Sequence, residues 1–324
     1  MLHRICIKLK VAIIVITTII STQLTEINAV TIHRFDKFIS GISRGDTASL
    51  SARANEFSDV YNGFVKLLLN DTTQSTEGKL ATFADLNNIK FFYNDVDSVF
   101  KNTDRLKVLL DSIESRLSNS LNIHLDKIFT IISPYNQPII ALNDTAIAVA
   151  LNHFLGAGYP PYSYYPNYVR RFKTPEKLPY SIVEYTLRKA YPYEPTDTSL
   201  IERVAYEGFI SYAVKSVMPQ FSDCTFFNFT EQQMAWAIEN EQSVFYTILK
   251  YAKSTDWDLQ RNIMAVAPFS SVISPQSPGG VGRWIGLRMV ESYMNNGIEI
   301  ASMLKNKEYQ KYNNLIKKYK HNGK

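Results

Sequence analysis

The sequence contains few cysteines and few histidines, and both shortages narrow the chemistry that the protein can perform. Only two of its 324 residues are cysteine, Cys6 and Cys224, and five are histidine. Cys6 lies within residues 1–29, which we interpret below as an export signal, so Cys224 has no partner once that signal is removed. This count excludes an intramolecular disulfide in the processed chain, a cysteine-ligated zinc site and an iron–sulfur cluster. We expect Cys224 to be a small, buried apolar residue.

The motifs that mark several enzyme classes are absent as well. No histidine is followed by glutamate, so the HExxH motif of zinc peptidases is missing, and there is no Gly-x-Ser-x-Gly nucleophile elbow. We expect His153 to be a structural residue at the end of a strand rather than a metal ligand. The sequence therefore predicts no catalytic residue of these types, no metal and no cofactor.

The stretch SPGGVGRWIGLRMVESYM at 277–294 is rich in glycine but does not fit a nucleotide-binding loop. Gly282 is followed by Arg283, whereas a P-loop requires lysine and then serine or threonine. We expect the first two of its four glycines to form a turn with positive φ. The last two, Gly282 and Gly286, would share a helix face that another backbone approaches. An anion site at helix N–H groups beside Arg283 is the alternative.

Residues 1–29 have the layout of an export signal, either cleaved or kept as an anchor. Basic residues precede the apolar run VAIIVITTIIS, and a polar stretch leads from there to Ala29. The run is shorter than the ~20 residues that a spanning helix needs, and no second run of that length follows. We expect an exported protein of the periplasm or cell envelope, with membrane association only through its N-terminus.

The net charge of +5 comes mainly from the C-terminal end of the chain, where residues 301–324 contain seven lysines and one glutamate. A basic segment of this kind can contact nucleic acid or anionic lipid. It is also typical of a solvated terminal helix, which is our prediction. We expect no nucleic-acid partner.

The hydrophobic pattern predicts a helix-rich α+β fold with a small sheet, in one domain from residue 30 to 324. Strands and helices are expected in 30–160. They comprise a first strand in VTIHRFDKFI, helices from 47 to 121, and strands in KIFTIISP, PIIALN and AIAVALNHFLG.

An irregular loop is predicted next, because the chain has three prolines and five tyrosines between residues 157 and 168. We name residues 159–168 the tyrosine-rich loop. Residues 174–320 are expected to be mostly helical, with a capping box at Thr230 and Gln233.

Seven stretches with a family likeness occur in order along the chain. They are RFDKF at 34–38, LNHFLGAGYPPY at 151–162, EGFISYAVKSVMP at 207–219, TEQQMAWAIENEQSVFYTIL at 230–249, STD at 254–256, APFS at 267–270 and SPGGVGRWIGLRMVESYM at 277–294. In this combination the sequence resembles the GldB family of gliding-motility-associated proteins from Bacteroidota.

The resemblance implies a cell-envelope lipoprotein that is needed for gliding, in which a periplasm-spanning machine drives surface adhesins and secretes proteins. The implied partners are other envelope or gliding-machinery proteins, or a peptide ligand. The sequence departs from the family at one point that matters. The lipoproteins carry a cysteine just after the apolar run, whereas Ser21 and Thr22 stand there in this chain. This difference argues against a lipid anchor.

The family is also distantly similar to zincin metallopeptidases, which implies a small sheet beside an active-site helix and a helical C-terminal half. Such enzymes bind zinc through the two histidines of HExxH and a glutamate further along the chain. Here VEYTL at 183–187 would replace that motif, with Glu184 at its centre, and Glu207 lies 20 residues after Leu187. Val183 and Leu187 stand at the histidine positions and cannot bind zinc.

Without a metal, Glu184 and Glu207 would need other partners, because a buried carboxylate is costly unless it is paired or protonated. The candidates by residue type are Arg283, Arg288, Tyr185 and Tyr212. In the alternative interpretation, both glutamates face solvent or form ordinary ion pairs along helices.

We therefore expect a non-catalytic, zincin-like scaffold that holds a partner protein or a peptide. Its contact surfaces would be the tyrosine-rich loop, with Tyr162 and Tyr164, and the glycine-rich loop at 277–286, with Arg283 and Trp284. Aromatic and arginine side chains dominate the energetics of interfaces, which favours these surfaces. Two alternatives stay open: an envelope hydrolase with an atypical glutamate-based site, and a structural spacer without a groove.

Overall fold

The computed structural model describes residues 29–46, 53, 55–69, 74–294 and 299–321. Residues 1–28 of the predicted export signal lie outside these ranges. Within them the protein has many helices and one small sheet, so the prediction of a helix-rich α+β fold is confirmed. No helix of the described ranges combines the length and the apolar character needed to cross a bilayer.

The sheet has four strands in the order β1-β2-β4-β3. Their bounds are Thr31–His33 (β1), Lys127–Ile131 (β2), Ile139–Ala141 (β3) and Ala146–Ala150 (β4). β2 is parallel to β1 and to β4, with Ile128 opposite Ile147, whereas β3 and β4 form an antiparallel hairpin. Every residue of β4 is buried, which explains why its sequence is a continuous apolar run. The three predicted strands between 127 and 150 are thus confirmed.

The predicted first strand is only partly correct. β1 ends at His33, and the following residues form helix α1, Phe35–Ser43. Phe35, Phe38 and Ile39 are buried at spacings of three and four, which is the period of a helix rather than a strand. The chain therefore leaves the sheet at His33, and the second half of the stretch VTIHRFDKFI is helical.

The predicted helices of the N-terminal half are present in the described ranges. After α1 they are Ser58–Val60 (α2), Lys66–Leu69 (α3), Thr76–Asp85 (α4), Asn87–Lys90 (α5), Tyr93–Val99 (α6) and Asp104–Leu121 (α7), with a π-helical turn at Tyr61–Val65. Asn122 ends α7 in the left-handed conformation.

Beyond the sheet the chain is mostly helical, as predicted. A 3₁₀ turn at Leu151–His153 follows β4, and another, Pro160–Tyr162, lies in the otherwise irregular tyrosine-rich loop. The helices are Asn167–Arg170 (α8), Leu178–Ala190 (α9), Leu200–Val217 (α10), Asp223–Phe227 (α11), Glu231–Glu239 (α12), Glu241–Lys250 (α13), Trp257–Met264 (α14), Val281–Met294 (α15), Ile300–Lys305 (α16) and Tyr312–Lys318 (α17). The capping box of Thr230 and Gln233 is confirmed.

Helix α10 is the central helix of this half, and it crosses α15 at very short range. A Cβ atom at Gly208 would lie 2.2 Å from the carbonyl oxygen of Gly286, and one at Gly286 would lie 2.2 Å from that of Val204. The close approach expected at Gly286 is therefore confirmed. Of the predicted glycine turn, only Gly280 has a positive φ, +78°.

Candidate functional site

Helices α9, α10 and α15 bring four charged side chains together, which we name the four-charge cluster: Glu184, Arg188, Glu207 and Arg283. Glu184 and Arg188 are one turn apart on α9, Glu207 is on α10, and Arg283 is in the first turn of α15. The close crossing of α10 and α15 places Arg283 beside both glutamates. The two glutamates that the sequence singled out are therefore neighbours in the fold.

Each carboxylate of the four-charge cluster contacts both guanidinium groups. Arg188 forms a bidentate ion pair with Glu207, in which Nη1 donates to Oε1 at 3.1 Å and Nη2 donates to Oε2 at 2.6 Å. Its Nη2 also donates to Glu184 Oε1 at 2.8 Å. Arg283 Nη2 donates to the same Glu184 oxygen at 2.6 Å. Arg283 Nε lies 3.2 Å from Glu207 Oε2, at ion-pair distance but without hydrogen-bond alignment. The cluster has no net charge.

The arginines keep both glutamates ionised. Burial by itself raises the pKa of Glu184, but the positive charges of Arg283 and Arg188 outweigh it and lower that pKa to about 2. The same opposition leaves the pKa of Glu207 below its ordinary value. Burial raises the pKa of Tyr180, which accepts a bond from Arg283 Nη2 at 3.3 Å. Neither glutamate can therefore act as a general acid near neutral pH.

The two positions that the zincin resemblance would assign to zinc-binding histidines belong to the apolar core. Val183 and Leu187 are both 0% exposed. The glutamate between them is turned to the arginines instead. Among the described residues, no group of three or more His, Cys, Asp or Glu side chains is arranged to hold a metal ion.

The sequence identified one partner of Glu184, Arg283, but missed Arg188. Arg283 was among the candidates and contacts both glutamates, whereas Arg188 was overlooked although its spacing of four from Glu184 is the signal of a helix ion pair. The other candidates lie elsewhere. Arg288 pairs with Glu241 and Glu291, Tyr185 accepts a bond from the N–H of Ala141 at 2.8 Å, and Tyr212 is half-buried against the core.

The four predicted contact residues have different environments. Trp284 is 2% exposed and Arg283 belongs to the four-charge cluster, so the glycine-rich loop does not present them at the surface, contrary to the prediction. Tyr162 is 4% exposed, and its hydroxyl donates to the carbonyl of Asn152 at 2.5 Å. Tyr164 is 74% exposed. Of the four, only Tyr164 is exposed at the surface.

Two other expectations concern single residues. His153 is buried in the 3₁₀ turn that follows β4, in the position expected for a structural histidine. Cys224 is only half-buried, so the expectation of a fully buried cysteine is wrong. It lies on the short helix α11, near the surface.

Tyr164 borders a cavity of about 290 Å³, which we name the aromatic pocket. It lies at the carboxyl ends of β2 and β4, the edge where ligands bind in many sheets with parallel strands. Two of the aromatic residues that line it are exposed to solvent: Tyr164, as stated above, and Tyr135, which is 52% exposed. The rings that line it are those of Phe92, Tyr135, Tyr162, Tyr164 and Tyr165.

Comparison with known proteins gives a family-level match. A family model described as gliding motility protein GldB matches residues 19–320. No match was found among curated proteins or among solved structures. The matched range contains both the four-charge cluster and the aromatic pocket.

Proposed function

Because the chain belongs to the family of the gliding motility protein GldB, we propose that it is a non-catalytic protein of the cell envelope that binds a partner protein or a peptide of the gliding machinery. Family membership supports the link to gliding motility. The finer statements, on scaffold, binding and location, depend on the residues described above.

The observation that carries the non-catalytic part of the proposal is the pairing within the four-charge cluster. A peptidase-like site needs a carboxylate that is free to take a proton from water. Here the carboxylates of Glu184 and Glu207 accept bonds from two guanidinium groups and are held below their ordinary pKa values. We interpret the cluster as a set of structural ion pairs that hold α9, α10 and α15 together in a zincin-like scaffold.

The aromatic pocket supports the binding part of the proposal. Its mouth exposes aromatic rings that nothing covers in the described chain, and aromatic side chains are enriched where interfaces gain most of their energy. A structural spacer would have no need of a concave, aromatic surface. The binding surface that we propose is therefore the tyrosine-rich loop together with Tyr135, rather than the glycine-rich loop.

The rival function is an envelope hydrolase that uses the two glutamates. One feature would suit it, since Glu207 also lines a small cavity of about 150 Å³ with Trp257 and Arg261. A water in that cavity would face a carboxylate that is already bound to Arg188. We therefore place hydrolysis second.

The N-terminal layout supports export to the periplasm or cell envelope. Retention by a lipid is not part of the proposal, because no cysteine stands directly after the apolar run of the signal. Membrane association would then depend on the N-terminal segment itself.

Crosslinking in the native envelope tests the binding surface. Mild crosslinking of the wild-type protein, followed by purification and mass spectrometry, should recover a gliding-machinery partner. Tyr164→Ala and Tyr135→Ala should each lower this recovery about tenfold, the effect of losing ~1.4 kcal/mol at an interface. Tyr246→Ala is the matched control, because Tyr246 is 57% exposed on α13 and should not matter.

Two outcomes would contradict the proposal. Equal recovery of the partner with all three variants would show that Tyr164 and Tyr135 do not belong to the binding surface. Hydrolysis of a peptide or glycan by the purified protein, abolished in Glu207→Gln, would favour the enzyme instead.

A further inference from the structure

The floor of the aromatic pocket contains a buried lysine and a buried histidine that the four-charge cluster does not use. Lys173 follows α8 and is 9% exposed, and His153 is 8% exposed. The backbone N–H of Gly156 donates to the carbonyl of Lys173 at 2.9 Å, which ties together the two ends of the segment that carries the tyrosine-rich loop. Both side chains line the cavity.

The contacts of His153 define its protonation. Its Nε2 lies 2.9 Å from the carbonyl oxygen of Tyr135, so this nitrogen carries the proton and donates. Nδ1 is then an acceptor and lies 3.2 Å from Lys173 Nζ. Burial and the charge of Lys173 lower the pKa of His153 to about 4, so the imidazole is neutral near pH 7. The lysine is the cation of the pair.

The positive charge of Lys173 is not balanced by a nearby carboxylate in the described part of the chain. Its ammonium group contacts the neutral imidazole and lies over the rings of Tyr162 and Tyr165, at 5.0 and 4.6 Å from their centroids. Each ring contributes only ~0.5–2 kcal/mol, whereas a buried ammonium without an anion is expensive. Burial accordingly lowers the pKa of Lys173. None of the ion pairs among the described residues includes this lysine.

We propose that the aromatic pocket binds the carboxylate of an organic acid against Lys173, with the apolar body of that acid between the tyrosine rings. This inference rests on the proposed function and names the group that the partner inserts. The most direct source is the C-terminal carboxylate of a peptide.

The composition of the pocket favours a carboxylate over a phosphate. A phosphate dianion is normally held by several cations or by arginine forks, and here one ammonium faces the cavity. A monoanion balances that charge. A volume of about 290 Å³ suits a single residue, because pockets for drug-sized ligands reach ~300–1,000 Å³.

Calorimetric titration of the purified full chain with small probes tests the proposal. N-acetyl-leucine should bind, whereas N-acetyl-leucinamide, which has the same shape and no charge, should bind at least tenfold more weakly. An acetylated dipeptide that ends in a free leucine should bind at least as tightly as the single residue if the natural source is a peptide C-terminus. Inorganic phosphate should bind more weakly than either acid.

Variants connect the binding to one lysine. Lys173→Met should weaken binding of N-acetyl-leucine at least tenfold, whereas Lys177→Met should leave it unchanged. Lys177 is the matched control, because it is also buried beside aromatic rings but does not line the pocket. If Lys173→Met fails to fold, the comparison of acid and amide on the unaltered protein decides.

Three results would overturn the assignment: no binding of either probe, equal binding of acid and amide, or tighter binding of phosphate. Acid binding without any effect of Tyr164→Ala on partner recovery would instead refute the proposed partner surface and leave the carboxylate site intact. Partner recovery that depends on Tyr164, without acid binding, would refute the carboxylate site alone.

Discussion

At the scale of single residues, Glu184 shows that a buried charge is stable only when all of its ion-pair partners are present. Moving a carboxylate out of water costs several kcal/mol, and only well-aligned partners offset this cost. Arg188 and Arg283 both donate to the same oxygen of Glu184, at 2.8 and 2.6 Å. Removal of any one member leaves an unmatched charge, so we expect the four residues to act as a unit.

Acid should weaken the fold through Glu184. Its pKa is about 2 in the folded protein, below the ordinary 4.5 of an unfolded chain, so its contribution is complete above pH 4.5. That contribution disappears as the pH falls from 4.5 to 2, and it is on the order of 3 kcal/mol. Urea unfolding at a series of pH values should show this loss in the wild-type protein. Glu184→Gln should be less stable than the wild type at pH 7. Its free energy of unfolding should also change less with pH below pH 4.5.

The control for acid unfolding is Glu239→Gln, because Glu239 is an exposed residue on α12. The free energy of unfolding of Glu239→Gln should depend on pH in the same way as that of the wild type. A profile of Glu184→Gln that runs parallel to the wild type between pH 4.5 and 2 would show that Glu184 is not held ionised by the arginines.

At the scale of elements, the position of the four-charge cluster depends on how closely α10 and α15 cross. Gly208 and Gly286 remove the side chains that would separate the helices, so backbone meets backbone. Glu207 precedes the first glycine, and Arg283 lies one turn before the second. A wider crossing would pull Arg283 away from Glu207.

Gly286→Ala should therefore be strongly destabilising. Alanine favours a helix over glycine by ~1 kcal/mol, which by itself would stabilise α15. The added Cβ would lie 2.2 Å from the carbonyl oxygen of Val204, and the overpacking cost, typically 1–3 kcal/mol and more against a rigid backbone, exceeds that gain. We expect a net loss of about 2 kcal/mol or more in urea unfolding.

Gly158→Ala is the matched control for the crossing. A Cβ at Gly158 has no neighbour within 4 Å and its φ is not in the left-handed region, so its stability should stay within about 0.5 kcal/mol of the wild type. Equal stability of the two alanine variants would mean that α10 and α15 can separate freely.

The elements that the sequence predicted well are those whose pattern is local. The apolar runs of β2 and β4, the capping box at Thr230 and the packing role of Gly286 follow from neighbouring residues. Burial of Trp284 does not, because it depends on which elements cover α15 from several sides. The sequence did not identify α10 as the element that packs against Gly286. A glycine inside a helix, such as Gly208, indicates a close neighbour but does not identify that neighbour.

At the scale of the whole molecule, the C-terminal segment is part of the body rather than a free basic tail. Tyr309 and Leu315 are 2% and 0% exposed, and Lys307 pairs with Glu194 across the chain. Many of its lysines face solvent while its apolar residues complete the core that begins at Val30. The prediction of a solvated terminal helix is therefore correct only for its outer face.

A single continuous core predicts a single cooperative unfolding unit from residue 30 onward. Leu315→Ala should cost ~2–5 kcal/mol, and the protection of the slowest amides against hydrogen exchange should fall equally in β4 and in α10, although Leu315 lies at the far end of the chain. Asn314→Ala, at an exposed neighbour, should change neither. If protection fell in α10 and not in β4, the sheet would belong to a domain of its own, because global unfolding would no longer link the two.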